Sequence, residues 1–428
     1  MRAVRTAKVL VGLTALTLVA AGCSSGSGGG SSSSGTTKSL EVFSWWTSGS
    51  ESAALQSLYT NYTKAYPDVK IVNGAVAGGG GANAQAVLQS RLQGGKAPDT
   101  WQTHPGAIVQ QYVQAGVIQP LTTLFQSEGW SSTVPKVILD NTQAGGQTYS
   151  VETGVHRGNV LWYNKHLLDA HGITLTSTTT MAQWLSDVTK LKSAGVTPVC
   201  LGDGSGGFGD QMLLEGTLLS ELGATAWNGL FSKQTQWNDP QVTAALNDYA
   251  ALYGAANSDH GALTWDEAVK DLVGNKCAFN VMGDWAYGEL KKDGAKEGTD
   301  FGYMPVPGSP TTFDMVIDSF VVAKNAKDQS NAMNWAKTVM STQGQIDFNL
   351  QKGAIPVLTN VPMTSFPPYQ QQSATDFRNS AESLVWSFAN GEVGSPASVQ
   401  AYDNAINTFN GNKNTGAFAT AMAAAANS

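Results

Sequence analysis

The sequence predicts an α/β protein: a largely parallel sheet with helices on its faces. Three observations carry that expectation. From Leu40 onward the hydrophobic pattern alternates strand, helix, strand, helix, strand. The apolar run from Cys277 to Met282 has the profile of a short buried strand, and Gly283 breaks it. A chain of 428 residues that is 42% hydrophobic has enough apolar material for a large core, or for two. Asp284 and Trp285 then fall at the carboxyl end of the buried strand, where open α/β sheets place their ligand crevices. An indole beside polar groups suits a ligand with apolar faces and a hydroxyl rim, such as a sugar.

The formal charge of −7 argues against nucleic acid as a partner, because that interaction requires a basic footprint. The first 22 residues read as a targeting segment. Arg2, Arg5 and Lys8 give a positive start, and the apolar run Val9 to Ala21 is too short to span a bilayer. The segment closes with Ala20-Ala21-Gly22-Cys23, which resembles the lipobox of bacterial lipoproteins with Cys23 as the lipid-bearing residue; Ala20 replaces the usual bulky residue. On that resemblance residues 23–38 read as the lipidated cysteine and a Ser/Gly tether, too poor in apolar surface to offset their ordering entropy. This order places the folded body just outside a membrane, on its extracytoplasmic face.

Within the body, Leu40 to Ser44 alternates as a strand and ends in Trp45-Trp46. An amphipathic helix from about Glu51 to Tyr66 follows, then a strand from Val69 to Val72, a Gly-rich loop around Gly80, and a helix from about Asn83 to Leu92. Thr100 to His104 is a third strand. His156 to Lys165 reads as one long strand that enters a helix near Leu167. A helix spans about 181 to 193, and a strand runs from Pro198 to Leu201. Thr264 and Glu267 form a capping-box pair ahead of a helix that leads to the Cys277 strand. Met315 to Ala323 is a strand interrupted by Asp318-Ser319, a helix follows from Ser330 to Met340, and Lys352-Gly353 is placed in a loop. From Ser373 onward the chain is expected to be helical.

FSWW with the following Glu51, HRGNVLWYNK, and FNVMGDW with the following Asp318 and Lys352 together resemble the extracellular solute-binding proteins of ABC importers, in the group that binds sugars. GGGGANAQAVL and APDTWQTHPG are most similar to its glucose/mannose-binding members. The resemblance implies a two-lobed, type II-like periplasmic-binding-protein fold with a hinge and an interlobe ligand cleft. The N-terminal lobe would take residues 39–151 and 318–365, and the C-terminal lobe 152–317 and 366–428. It implies a monomeric, non-enzymatic subunit that closes on a sugar and is recognised by membrane permease subunits, with no cofactor. The competing readings are a secreted glycosidase and a binder of short oligosaccharides.

A pyranose presents C–H faces to aromatic plates and hydroxyls to forked polar side chains. Trp45, Trp46, Trp265 and Trp285 are the candidate plates. Since neighbours on a strand point to opposite faces, at most one of Trp45 and Trp46 should be plain core. Glu51, Gln102, His104, Asp318 and Lys352 are the polar candidates implied by the resemblance, with Gly80 as a close backbone approach. Glu51 also reads as an ordinary first-turn carboxylate. Asp318 lies inside an apolar strand, which is costly unless it is paired, and Lys352 is its expected partner. His156 and Arg157 are expected to be structural or to stand behind the site. Trp386 stands where the glucose-binding relatives carry a histidine close by. Cys200 and Cys277 fall in strands of one lobe, either as a disulfide or as two buried thiols.

Overall fold

The computed structural model describes residues 38–78, 81–204 and 206–425. The leader, Cys23, the tether and Gly80 lie outside the described residues. Among the described residues the body forms one compact unit with two main sheets and a two-stranded hairpin.

The first sheet has six strands. Its core strand order is β2 (Lys70–Asn73), β1 (Ser39–Phe43), β3 (Thr100–Thr103), β11 (Phe313–Val322), β12 (Leu384–Trp386), and β6 (Ser150–Arg157) also pairs with β11. β1 runs parallel to β2 and β3, while β11 runs antiparallel to β3 and β6. A short hairpin, β4 (Gln143–Ala144) and β5 (Gln147–Thr148), precedes β6. The second sheet has the order β10 (Phe301–Pro305), β7 (Val160–Asn164), β9 (Cys277–Val281), β8 (Thr197–Val199). Each sheet has its own apolar core. Trp46, Leu58, Phe320, Trp335 and Phe348 pack on the first, and Trp162, Trp184, Leu214, Phe279 and Tyr402 on the second.

The geometry of β11 positions the site. A strand has two edges. β6 occupies one edge from Met315 to Val321, while β12 (at 313–315) and β3 (at 319–322) share the other. Between those two neighbours the ladder is open, and the backbone of Ile317 finds side chains instead: its N–H donates to Glu392 Oε1 at 2.6 Å and its carbonyl meets His104 Nδ1 at 2.9 Å. A register shift between Asp318 and Ser319 falls in the same place, as the interrupted apolar pattern predicts, and such bulges re-aim a side chain.

Four expectations are corrected. The sheets are mixed rather than largely parallel, since β11 runs antiparallel to β3 and β6, and β7 to β9 and β10. His156 to Lys165 is not one strand: β6 ends at Arg157, and β7 begins at Val160 in the other sheet. The corner packs tightly at Gly158, where a side-chain carbon would come 2.2 Å from Asp314 Oδ2. Lys352 is not in a loop but is the last residue of the helix Thr342–Lys352, which Gly353 ends at φ 95°. The chain after Ser373 is not continuously helical, because β12 intervenes and adds to the edge of β11. Elsewhere local signals and structure agree. The Glu267 side chain, for example, accepts the Thr264 N–H at 2.8 Å at the start of the helix Trp265–Val273.

Candidate functional site

Trp45, Glu51, His104, Trp265, Trp285, Asp318 and Lys352 line one crevice between the two halves, and Phe208, Val316 and Asn390 complete it. Its cavity is small, about 40 Å³, room for a few waters.

Each side chain is placed by an identifiable local cause. Trp45 follows β1, and its N–H donates to Gln102 Oε1 at 3.1 Å. Trp46 turns the other way, 1% exposed, against Phe320 and Phe348. The alternation expected of the pair holds, and it takes Trp46 out of the crevice and into the core. Gln102 also lies behind the crevice, its Nε2 donating to Asp318 Oδ1 at 3.1 Å. Trp285 opens the helix Trp285–Lys292, and its indole folds back over Gly283, where a side-chain carbon would sit 2.2 Å from the ring. Phe208 lies 5.9 Å from Trp285 at an interplanar angle of 31°. The indole of Trp45 sits 5.4 Å from His104. Aromatic plates therefore come from both halves.

The charged groups form a connected, buried cluster. Lys352 donates to Glu51 Oε1 at 2.5 Å and lies 3.6 Å from Asp318 Oδ2, so its nearer partner is Glu51 rather than Asp318. Its ammonium also sits 5.2 Å from the Trp46 ring and 5.7 Å from the Trp285 ring. His156 bridges two carboxylates, with Nδ1 2.5 Å from Asp284 Oδ1 and Nε2 3.2 Å from Asp318 Oδ2. The second contact is close but poorly aligned for a hydrogen bond. His104 Nδ1 lies 3.3 Å from Glu392 Oε1.

Burial sets the ionisation in each case, and the neighbours then decide it. Burial alone would raise the Asp318 carboxyl, but Lys352, His156 and His104 hold it well below its ordinary range. Burial would neutralise His104, yet the Glu392 and Asp318 carboxylates push it up to about 9. Burial opposes charge on His156 as well, and Asp284 and Asp318 raise it. Burial raises Glu51, against the pull of Lys352. The crevice is thus lined by charges already compensated by one another.

Sequence reasoning missed Phe208, Val316, Asn390 and Glu392. Asn390 and Glu392 lie outside regular elements, and nothing in their neighbourhood foretells that the chain returns to β11. Trp386 lies away from the crevice on β12, its carbonyl accepting the Trp227 Nε1–H at 3.3 Å; Asn390, four residues on, is the residue that lines it. Cys200 and Cys277 are joined as a disulfide between the β8 and β9 segments, which settles the open choice. Ser50 N–H donates to Glu289 Oε2 at 2.8 Å, so a carboxylate of the second half caps the helix Gly49–Ala65 of the first.

Residues 46–346 match the family described as bacterial extracellular solute-binding protein, and the chain belongs to that family. It is 34% identical over 388 residues to an uncharacterised ABC transporter extracellular-binding protein of Pyrococcus horikoshii, covering 90% of this chain and 87% of that one. It is 29% identical to a probable sugar-binding periplasmic protein of Rhizobium meliloti, covering 91% of this chain and 93% of that one. In three dimensions it is similar to a chitin oligosaccharide binding protein, with a TM-score of 0.79 at 18% identity over 91% of this chain and 99% of that one. The fold is the two-lobed periplasmic-binding-protein fold.

Proposed function

We propose that this protein is the substrate-binding subunit of a carbohydrate ABC importer, tethered outside the membrane through Cys23, and that it captures a glucose/mannose-type monosaccharide by closing its lobes and presents it to the permease. The observation that carries this reading is the crevice itself. Indoles from both halves flank a set of hydrogen-bonding groups whose charges cancel locally, which suits a neutral polyol rather than an ion. The sugar-binding description of the Rhizobium meliloti relative supports the ligand class. A cavity with room for a few waters admits a sugar only once the lobes separate. On this reading the lobes divide as 39–151 with 318–365 and 152–317 with 366–428, and the paired strands β6 and β11 form the flexing connection.

An ionised Asp318 held by Lys352 and His156 accepts hydrogen bonds well and is a poor proton donor, which supports binding over glycoside hydrolysis. Calorimetric titration with glucose, mannose, galactose, xylose and short gluco-oligosaccharides tests the proposal. Stoichiometric binding of one aldohexose without turnover is expected. Binding of none of them, or release of product from a disaccharide, would overturn it.

A further inference from the structure

A second cavity, of about 310 Å³, shares no lining residue with the crevice. It sits between helix Pro368–Asn379 and the edge of the second sheet. One wall is a single helical stripe, Tyr369, Gln372, Ser373 and Asp376, spaced so that all four face the same way. The other wall is aromatic: Tyr163 from β7 and Tyr303 from β10, with Tyr303 edge-on to Tyr369 at 4.7 Å. Gly302 lies opposite Tyr163 in the β7–β10 register, and a side-chain carbon there would fall 2.3 Å from the phenol ring. The glycine lets that ring lie across the edge strand and form the wall.

The hydroxyls of Tyr369 and Ser373 lie buried beneath the stripe. Its accessible polar groups are Gln372 and Asp376, with Gln372 Nε2 donating to Asp376 Oδ1 at 2.7 Å. The charges are satisfied. Arg157 donates to Asp376 Oδ2 at 2.8 Å, to the Thr312 carbonyl at 2.8 Å and to Asn159 Oδ1 at 3.2 Å. An ion would find no counter-charge free. The volume lies at the lower end of the range for small-molecule pockets, about 300–1,000 Å³.

We propose that this cavity is a second binding site, for a neutral, hydroxyl-bearing ring of monosaccharide size, stacked against Tyr163 and Tyr303 and hydrogen-bonded to Gln372 and Asp376. It is wired to the crevice. Arg157 faces the cavity, while His156, its neighbour on β6, faces the charged cluster. Arg157 and Asp284 exchange two hydrogen bonds, Arg157 N–H to Asp284 Oδ2 and Asp284 N–H to the Arg157 carbonyl, both 3.0 Å, and Asp284 immediately precedes Trp285.

Ligand-observed saturation-transfer NMR with methyl β-D-glucopyranoside as probe tests the site. It compares the wild-type protein, Trp285→Ala, and Trp285→Ala combined with either Tyr303→Ala or Gln372→Trp, with thermal melts confirming that each is folded. Gln372 is exposed, so its tryptophan would plug the mouth without disturbing the core. The expected result is binding that persists in Trp285→Ala and weakens about tenfold or more in both double variants. Loss of all binding in Trp285→Ala, or residual binding that Gln372→Trp leaves unchanged, would overturn the second site. Undiminished binding in Trp285→Ala would count against the crevice as a sugar site and leave this one standing.

Discussion

At the scale of single residues, Trp285 and Asp318 define the crevice from opposite halves. Trp285→Ala removes a plate and Asp318→Ala removes the carboxylate that Lys352, His156 and His104 hold ionised; each is expected to weaken sugar binding at least about tenfold, roughly 1.4 kcal/mol, in calorimetric titration. Unchanged affinity in both folded variants would dismiss the pocket. His104 carries a pH signature. Its folded pKa, about 9, exceeds the ordinary 6.5, so its contribution to stability is fully present below about pH 6.5 and is lost as pH rises through 9. That contribution is on the order of 3 kcal/mol. Melting temperatures at pH 6 and pH 9 should therefore diverge less in His104→Gln than in the wild-type protein, and parallel shifts would refute the assignment. Asp318, Trp285 and Trp45 were legible in sequence because each breaks a local pattern: a carboxylate in an apolar strand, a Gly-Asp-Trp stop, a doubled tryptophan; His104 and Lys352 came from the family resemblance. Phe208, Asn390 and Glu392 break none. They reach the site only because distant segments fold back onto the open stretch of β11.

At the scale of elements, the strands and helices follow from periodicity and capping, and the departures have physical causes. β6 and β7 read as one strand although the run from His156 to Asn164 mixes polar and apolar residues; the turn at Gly158-Asn159 is imposed by packing on Asp314 and by the Asn159 side chain bonding to Thr312 and Ser309. The strand that carries Asp284 and Trp285 is stapled to β8 by the Cys200–Cys277 disulfide, which closes a loop with a sequence separation of 77. Replacing both cysteines by serine is expected to lower stability by about 2–4 kcal/mol, read as a fall in the denaturation midpoint. A midpoint equal to that of the wild-type protein under oxidising conditions would show that the bond is not formed in solution.

At the scale of the whole molecule, the chain passes between the two sheets where β6 leads into β7 and β10 into β11, and direct bonds also join the halves across the crevice. One is the Glu289 carboxylate at the N-terminus of helix Gly49–Ala65; another is Lys352, whose ammonium lies over Trp46 of one half and Trp285 of the other. Glu289→Ala removes the first, so the ligand-free ensemble should shift toward open forms and sugar affinity should fall several-fold. Small-angle scattering checks this: the variant's radius of gyration without sugar should exceed the wild-type value, and the two should converge at saturating sugar. Identical values in both conditions would mean that the contact does not hold the lobes.

The sequence by itself determined the α/β class and many of the elements, which are written in local periodicity and caps, and it offered the aromatic candidates; the polar candidates beside them came from the family resemblance, and elements such as the long helix Phe208–Phe231 were not foreseen. Only the tertiary structure decided that Trp46 turns into the core, that Glu51 rather than Asp318 is the nearer partner of Lys352, that Asn390 rather than Trp386 lines the crevice, and that Arg157 faces a second cavity. The physical reason is the same in each case. Which face a strand end buries, and which of two carboxylates a buried ammonium meets, depends on elements far away in the chain that compete for the same few ångströms.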